Sequence, residues 1–315
     1  MSEPVLTAVT RTQGNNAALK SGEVTPTGFS FRFEEVPVLP QAFRRMVRGL
    51  EFDVSEMALT TYLVARAHGV AFTAVPVFLV RGFHHGAVQV LVGSDVRTPA
   101  DLAGRRVGVN RGYTVTTGVW ARSVLQDEHG LDLSSVTWVL SGDEHVTAYR
   151  PPANVVPGPA GVSLEDQLRR GELAAVIGAD IEAPDVVPLV PDPVEAGFRS
   201  LRERGLYPIN HLVVVRDELL RERPGLGAAV FDAFARSKQR YVDLLRADAV
   251  PAPTATDRMY RRVLEETGAD PLPYGIEPNR AVLDALLRTA VDQQILDRPV
   301  AIEDVFAPDT RELTA

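Results

Sequence analysis

Short apolar runs alternating with stretches of helical periodicity do most to restrict the folds open to this chain. Residues 5–10 read as a strand, and in 29–36 Phe29, Phe31 and Phe33 alternate with polar partners, the period of a strand with one buried face. In 41–50 the apolar residues Phe43, Met46, Val47 and Leu50 form a helical stripe, with Arg44, Arg45 and Arg48 expected on the solvated side. Further strands are expected at 72–80, 87–92, 106–109, 136–140 and around 175–178, with helices between them. From Leu206 the chain gives one more strand and two helices separated by Pro224, then helices to the end. Strands in regular alternation with helices build an α/β fold. A length of 315 residues, 45% hydrophobic and 23% charged, suffices for two compact lobes.

Composition removes several function classes. A net charge of −8 leaves no basic block to neutralise many phosphates, so nucleic acid is not an expected partner. The absence of cysteine excludes disulfides and thiolate metal sites. The amino terminus MSEPVLTAVT lacks a basic segment followed by a long apolar run, which gives the expectation of a cytoplasmic protein without a membrane partner. No P-loop, GxGxxG, HExxH or GxSxG pattern occurs.

Candidate site residues cluster where strands end. FTAVPVFLVRGFHH runs an apolar strand into Arg81, His84 and His85, and Pro76 within it argues for an edge position or a bend. Two imidazoles beside a guanidinium combine proton transfer with anion binding; a hairpin turn at Gly82 and Gly86 with solvated histidines is the plainer alternative. EFDVSEMALTTYL reads as a short strand turning into a helix, where the pair Asp53 and Glu56 fits a capping box and the turn that also holds Ser55 is a candidate anion seat whatever Glu56 does. Asn110, Tyr113, Thr114, Thr116 and Thr117 gather hydrogen-bonding groups at a strand-to-helix junction, where open α/β sheets bind ligands. The same logic adds Asp180 after GELAAVIGAD and His145 in SGDEHVTAY, while His211 precedes the apolar run 212–215. The proline-rich and glycine-rich RPPANVVPGPAGV reads as an exposed connection.

Taken in order, DVSEMALTTYL, PVFLVRGFHH, TPADLAGRRVGVNRGYTVTTGVWARSVL, GELAAVIGAD and NHLVVVRDELL resemble the type II periplasmic-binding-protein fold over nearly the whole chain. That fold implies two α/β lobes closing on a ligand: residues 1–92 and 206–315 in lobe I, 93–205 in lobe II. The narrower combination FRRMVRGLEFDVSEMALTTYL, FLVRGFHH and NRGYTVTTGVWARSVL resembles the 4,5-dihydroxyphthalate decarboxylase family. The resemblance implies a cytoplasmic carboxy-lyase that removes carbon dioxide from a hydroxylated aromatic acid and yields 3,4-dihydroxybenzoate.

Direct loss of carbon dioxide from an aromatic ring would leave an aryl carbanion. Protonating the carbon that bears the carboxylate avoids it, helped by an ionised hydroxyl para to that carbon. This requires a base, an acid and cations for the carboxylates. On that chemistry His84 and His85 are the expected proton-transfer pair, although successive residues of an extended strand point oppositely. Arg81 is the expected carboxylate clamp, Asn110, Thr114, Thr116 and Thr117 give neutral hydrogen bonds from the other lobe, and Glu56 orients a histidine or takes the phenol proton. No organic cofactor is needed. A divalent metal on Glu56, His84, His85 and His145 is a further route, ranked below the metal-free one because adjacent histidines lack helical i, i+4 spacing. The alternative function is a solute-binding or ligand-sensing protein, in which Arg81 and the threonine loop grip an anion and the histidines do no chemistry. A pyrimidine synthase of the same fold, which resembles iron-dependent enzymes with a cysteine-rich motif, is disfavoured by the missing cysteines.

Overall fold

The structure is a computed structural model and describes residues 3–315. Its strands are β1 Val5–Val9, β2 Ser30–Glu34, β3 Val54–Ala58, β4 Phe72–Arg81, β5 Val88–Leu91, β6 Arg106–Val109, β7 Thr137–Leu140, β8 Val155–Pro157, β9 Ala175–Ile177, β10 Val186–Pro188 and β11 Ile209–Arg216. The helices are α1 Gly14–Lys20, α2 Leu39–Gly49, α3 Leu59–Ala67, α4 Thr116–Asp127, α5 Leu164–Arg169, α6 Pro193–Arg204, α7 Asp217–Glu222, α8 Leu226–Arg246, α9 Ala255–Thr267, α10 Arg280–Asp292 and α11 Ile302–Val305.

Two sheets divide the strands. The first has the order β2-β1-β3-β11-β4 and the second β10-β5-β9-β6-β7-β8. Within the first, β11 runs antiparallel to both β3 and β4, so it begins where they end. Strand β4 lies at the sheet edge and pairs with β11 through register shifts, while the Pro76 carbonyl accepts from the Gly275 N–H; proline is tolerated in such an edge strand. In the second sheet β6 runs parallel to β7 and β9, and β7 parallel to β8, so their carboxyl ends share one side.

Those ends meet the first sheet. Thr60 at the start of α3 bonds Thr116 Oγ1 and the Thr114 carbonyl of the other lobe, and Trp120 Nε1 of α4 donates to the Ile209 carbonyl at the start of β11. A cleft bounded by two sets of strand ends is the ligand position expected of open α/β sheets.

Four expectations change. Strand β5 pairs with β9 and β10, so the first crossing between lobes precedes residue 88 rather than following residue 92. The stretch RPPANVVPGPAGV contains β8, an edge strand whose prolines masked it. Asp53 and Glu56 do not cap a helix: Glu56 stands within β3, and Asp53 accepts from the Thr7 N–H and hydroxyl. Arg44 and Arg48 are not simply solvated, since both pair with Asp143 of the other lobe, while Arg45 pairs with Glu34 and Glu51.

Candidate active site

Strand β3 is buried along its whole length, and the alternation of its side chains separates two neighbours. The Ser55 hydroxyl is buried and donates to the Glu56 carbonyl, away from the cleft, so Ser55 leaves the candidate set. Glu56 is 0% exposed, and its Oε2 accepts from the Arg11 backbone N–H at 2.9 Å. Its Oε1 lies 2.6 Å from His211 Nδ1. A carboxylate oxygen only accepts, so Nδ1 carries the hydrogen, and the opposite ring edge with Nε2 is left for the cleft. The His211 side chain keeps 19% exposure, and Phe43 meets the ring edge-to-face at 5.2 Å between centroids. A buried carboxylate, an oriented imidazole and an aromatic support therefore converge at the junction of β3 and β11.

The adjacent histidines at the end of β4 go elsewhere. His84 is buried, its Nε2 2.9 Å from Asn210 Oδ1, and burial lowers its pKa to about 4, which keeps the ring neutral. His85 turns the other way and sets Nε2 3.0 Å from Glu128, a carboxylate also held by Ser200 and Arg204. The expected pair is thus separated: both histidines lie in the loop beyond the end of β4 and take different partners. Arg81 does not present itself as a clamp either. It is 5% exposed, donates to Asn279 Oδ1 and to the Tyr207 carbonyl, and lies over the Tyr207 ring.

In the second lobe Asn110 Nδ2 donates to the Gly178 carbonyl, fixing the loop that follows β6 beside the one that follows β9. Thr117 approaches Gly178, and Asp180 lines a recess of about 880 Å³ with Asn110 and Ser141. The amides that open toward the start of α4 are already engaged: Glu144 accepts from the Tyr113 and Thr114 N–H groups and from the Thr114 hydroxyl. The Tyr113 ring lies inward, 3.8 Å beneath the Arg122 guanidinium, and Thr116 is held by Thr60. Tyr113, Thr114 and Thr116 therefore shape the inter-lobe contact rather than offer free hydrogen bonds.

His145 is buried with Nδ1 3.1 Å from Thr61 Oγ1, on Phe43 at 6.1 Å between centroids. Its pKa is lowered to about 4 by burial first, then by the charges of Arg44 and Arg111. Glu56, His84, His85 and His145 thus have separate partners, and among the described residues no three His, Asp or Glu side chains form a metal-binding cluster.

Two cations were not foreseen. Arg11 follows β1, is exposed, and has no ion-pair partner among the described residues; its backbone N–H rests on Glu56. Arg111 follows β6 and likewise has no ion-pair partner among the described residues. Its φ of 66° is a left-handed conformation that costs a non-glycine residue about 1–2 kcal/mol. Both follow the rule that selected Asn110 and Asp180: polar residues at the carboxyl end of a strand.

No family model matches the chain. A 4,5-dihydroxyphthalate decarboxylase of Comamonas testosteroni is 32% identical over 86% of this chain and 87% of the relative. Another protein of that name, from Pseudomonas putida, is 37% identical over 44% of this chain and 56% of its own length. Among solved structures, the desulfurization enzyme DSZB aligns with a TM-score of 0.55 at 19% identity, covering 98% of this chain and 97% of that one. The periplasmic aliphatic sulphonate binding protein SsuA of Escherichia coli aligns with a TM-score of 0.53 at 13% identity, covering 97% and 98%. At such identities these two establish the two-lobed, type II periplasmic-binding-protein-like fold alone.

Proposed function

The chain belongs to the 4,5-dihydroxyphthalate decarboxylase family, and from that premise we propose that its inter-lobe cleft decarboxylates a hydroxylated aromatic acid with His211 as proton donor. It is a carboxy-lyase whose substrate is an aromatic carboxylate, and the decarboxylase relatives favour catalysis over binding alone.

One observation carries the assignment of His211: its Nδ1 is held 2.6 Å from a carboxylate that is wholly buried. The arrangement fixes the ring orientation and compensates the positive charge the imidazole bears when Nε2 is also protonated. Nε2–H then gives its proton to the ring carbon that bears the departing carboxylate. The ring–carboxylate bond breaks, its electron pair restores aromaticity, and carbon dioxide leaves. An ionised hydroxyl para to that carbon supplies electron density during protonation and regains its proton afterwards. The net reaction consumes one proton per carbon dioxide released. Arg11 and Arg111 supply positive charge from opposite lobes for the substrate anion, the task first expected of Arg81.

The test is incubation of the purified protein with 4,5-dihydroxyphthalate, following carbon dioxide and 3,4-dihydroxybenzoate. Stoichiometric appearance of both is expected. Saturable binding without either product would overturn the reading.

A further inference from the structure

The proton transfer makes no use of Arg81, Gly82, Phe83 and His84, yet these four residues share one neighbour: the segment 207–210 that leads into His211. The Arg81 guanidinium donates to the Tyr207 carbonyl at 2.8 Å, and the Gly82 N–H to the Pro208 carbonyl at 3.2 Å. Phe83 packs on the Tyr207 ring at 5.2 Å between centroids. His84 Nε2 lies 2.9 Å from Asn210 Oδ1, an oxygen that only accepts, so the ring donates from Nε2. Ile209 is held from the other lobe, its carbonyl accepting from Trp120 Nε1 of α4 at 3.0 Å. Every residue from Tyr207 to Asn210 is therefore fixed by its own donor.

The sheet alone would not fix them. Ile209 stands opposite Arg81 and His211 opposite Val80, so Asn210 is an extra residue without a counterpart on β4, and the register shifts again between His211 and Leu212. Such a bulge leaves the extra residue unpaired and bends the strand, which re-aims the side chains beside it. On the opposite edge of β11 the ladder with β3 begins only at His211, facing Ala58. The direction of the His211 ring toward Glu56 thus depends on a stretch of backbone held from outside the ladder. Arg81 is also a costly way to fill space: it is 5% exposed, forms no ion pair among the described residues, and gives its hydrogens to Asn279 Oδ1 and the Tyr207 carbonyl. A buried guanidinium without a counter-ion is less stable there than an apolar side chain of its size, so packing does not account for it, whereas fixing the Tyr207 carbonyl does.

We infer that Arg81 and His84 are positioning residues, which clamp the bulge at Asn210 and thereby aim the His211 ring from Glu56 into the cleft. The inference rests on the assignment of His211 as proton donor. Neither side chain touches the reacting atoms; both act through the backbone that carries His211.

The test compares His84→Leu, which removes the donor, with His84→Gln, whose amide N–H replaces Nε2–H, and adds Asn210→Ala, which removes the acceptor from a half-buried position. Steady-state turnover of 4,5-dihydroxyphthalate is measured per folded molecule. The ring nitrogens of His211 are followed by NMR, identified among the six histidines by their absence in His211→Asn. A displacement of about 1 Å costs up to about a hundredfold in rate, so His84→Leu and Asn210→Ala should each lower kcat about tenfold to a hundredfold with KM within about twofold. His84→Gln should stay within about threefold of the parent, and the double variant of His84→Leu with Asn210→Ala should be no slower than either single one, since both remove the same bond. The His211 signals should move in the two disrupted variants and not in His84→Gln. Asn210→Ala carries the test should His84→Leu fail to fold. Parental kcat in a folded disrupted variant, a loss confined to KM, or His84→Gln as slow as His84→Leu overturns the inference. Failure of the parent to release carbon dioxide would instead overturn the decarboxylase reading, and His211 signals unmoved in the disrupted variants would still overturn the clamp.

Discussion

Mild acid should destabilise this protein through two histidines that have no part in the proposed proton transfer. His84 and His145 titrate near pH 4 in the folded state, held neutral chiefly by burial, against about 6.5 for an unfolded chain. Between those values the unfolded state binds more protons than the folded one. Stability from each ring is thus fully present above about pH 6.5 and is lost as pH falls toward 4. Linkage gives about 2 kcal/mol per ring on going from pH 8 to pH 5, and about 4 kcal/mol for both, a large share of the 5–15 kcal/mol typical of folded proteins. The assay is urea unfolding at pH 7, 6 and 5, above the range where most carboxylates titrate, for the parent and for His84→Gln and His145→Gln. Each variant is expected to be less stable at pH 7 but to lose about 2 kcal/mol less than the parent by pH 5. A parent and variants with the same slope would refute the burial argument.

Further outcomes concern the cleft. Glu56→Gln removes the charge but keeps the shape beside His211 Nδ1; a hydrogen bond to a charged group is worth about 1.5–3 kcal/mol, so kcat should fall about tenfold to a hundredfold with KM changed far less. A steady-state comparison checks this, and an unchanged kcat would remove Glu56 from the machinery. Arg111→Gln should raise KM about tenfold or more with kcat nearly preserved, as loss of a charge-assisted contact to the substrate anion requires. The same kinetics read it, and an unaltered KM would show that the second lobe grips the substrate by other groups.

What was legible in the sequence depended on range. Periodicity located most strands and helices because burial on one face leaves a local signature, as in β2 and α2. Strand β3 is buried on both faces and shows no alternation; the short strand expected there exists, but the Asp53-x-x-Glu56 spacing imitated a helix cap and put the strand's end too early. The proline-bounded β8 was hidden for the converse reason, having a strand's pairing without a strand's composition. The catalytic candidates divided in the same way. His84, His85 and Arg81 drew attention by adjacency, yet Asn210, Glu128, Asn279 and Tyr207, which engage them, are all distant in sequence. Glu56 and His211 lie 155 residues apart and meet only because β11 inserts antiparallel beside β3. Arg11 and Arg111 follow strands β1 and β6, so the strand-end rule that selects Asn110 reaches them as well.

The identity of the proton donor is open to a side-by-side measurement of kcat for 4,5-dihydroxyphthalate decarboxylation by His211→Asn, His84→Gln and His85→Gln, each confirmed folded by its thermal transition. Loss of a general acid removes about two to four orders of magnitude, so His211→Asn should fall at least a hundredfold while the other two stay within about tenfold of the parent. Near-parental turnover by His211→Asn, with collapse in His84→Gln or His85→Gln, would contradict the assignment and return the proton to the end of β4.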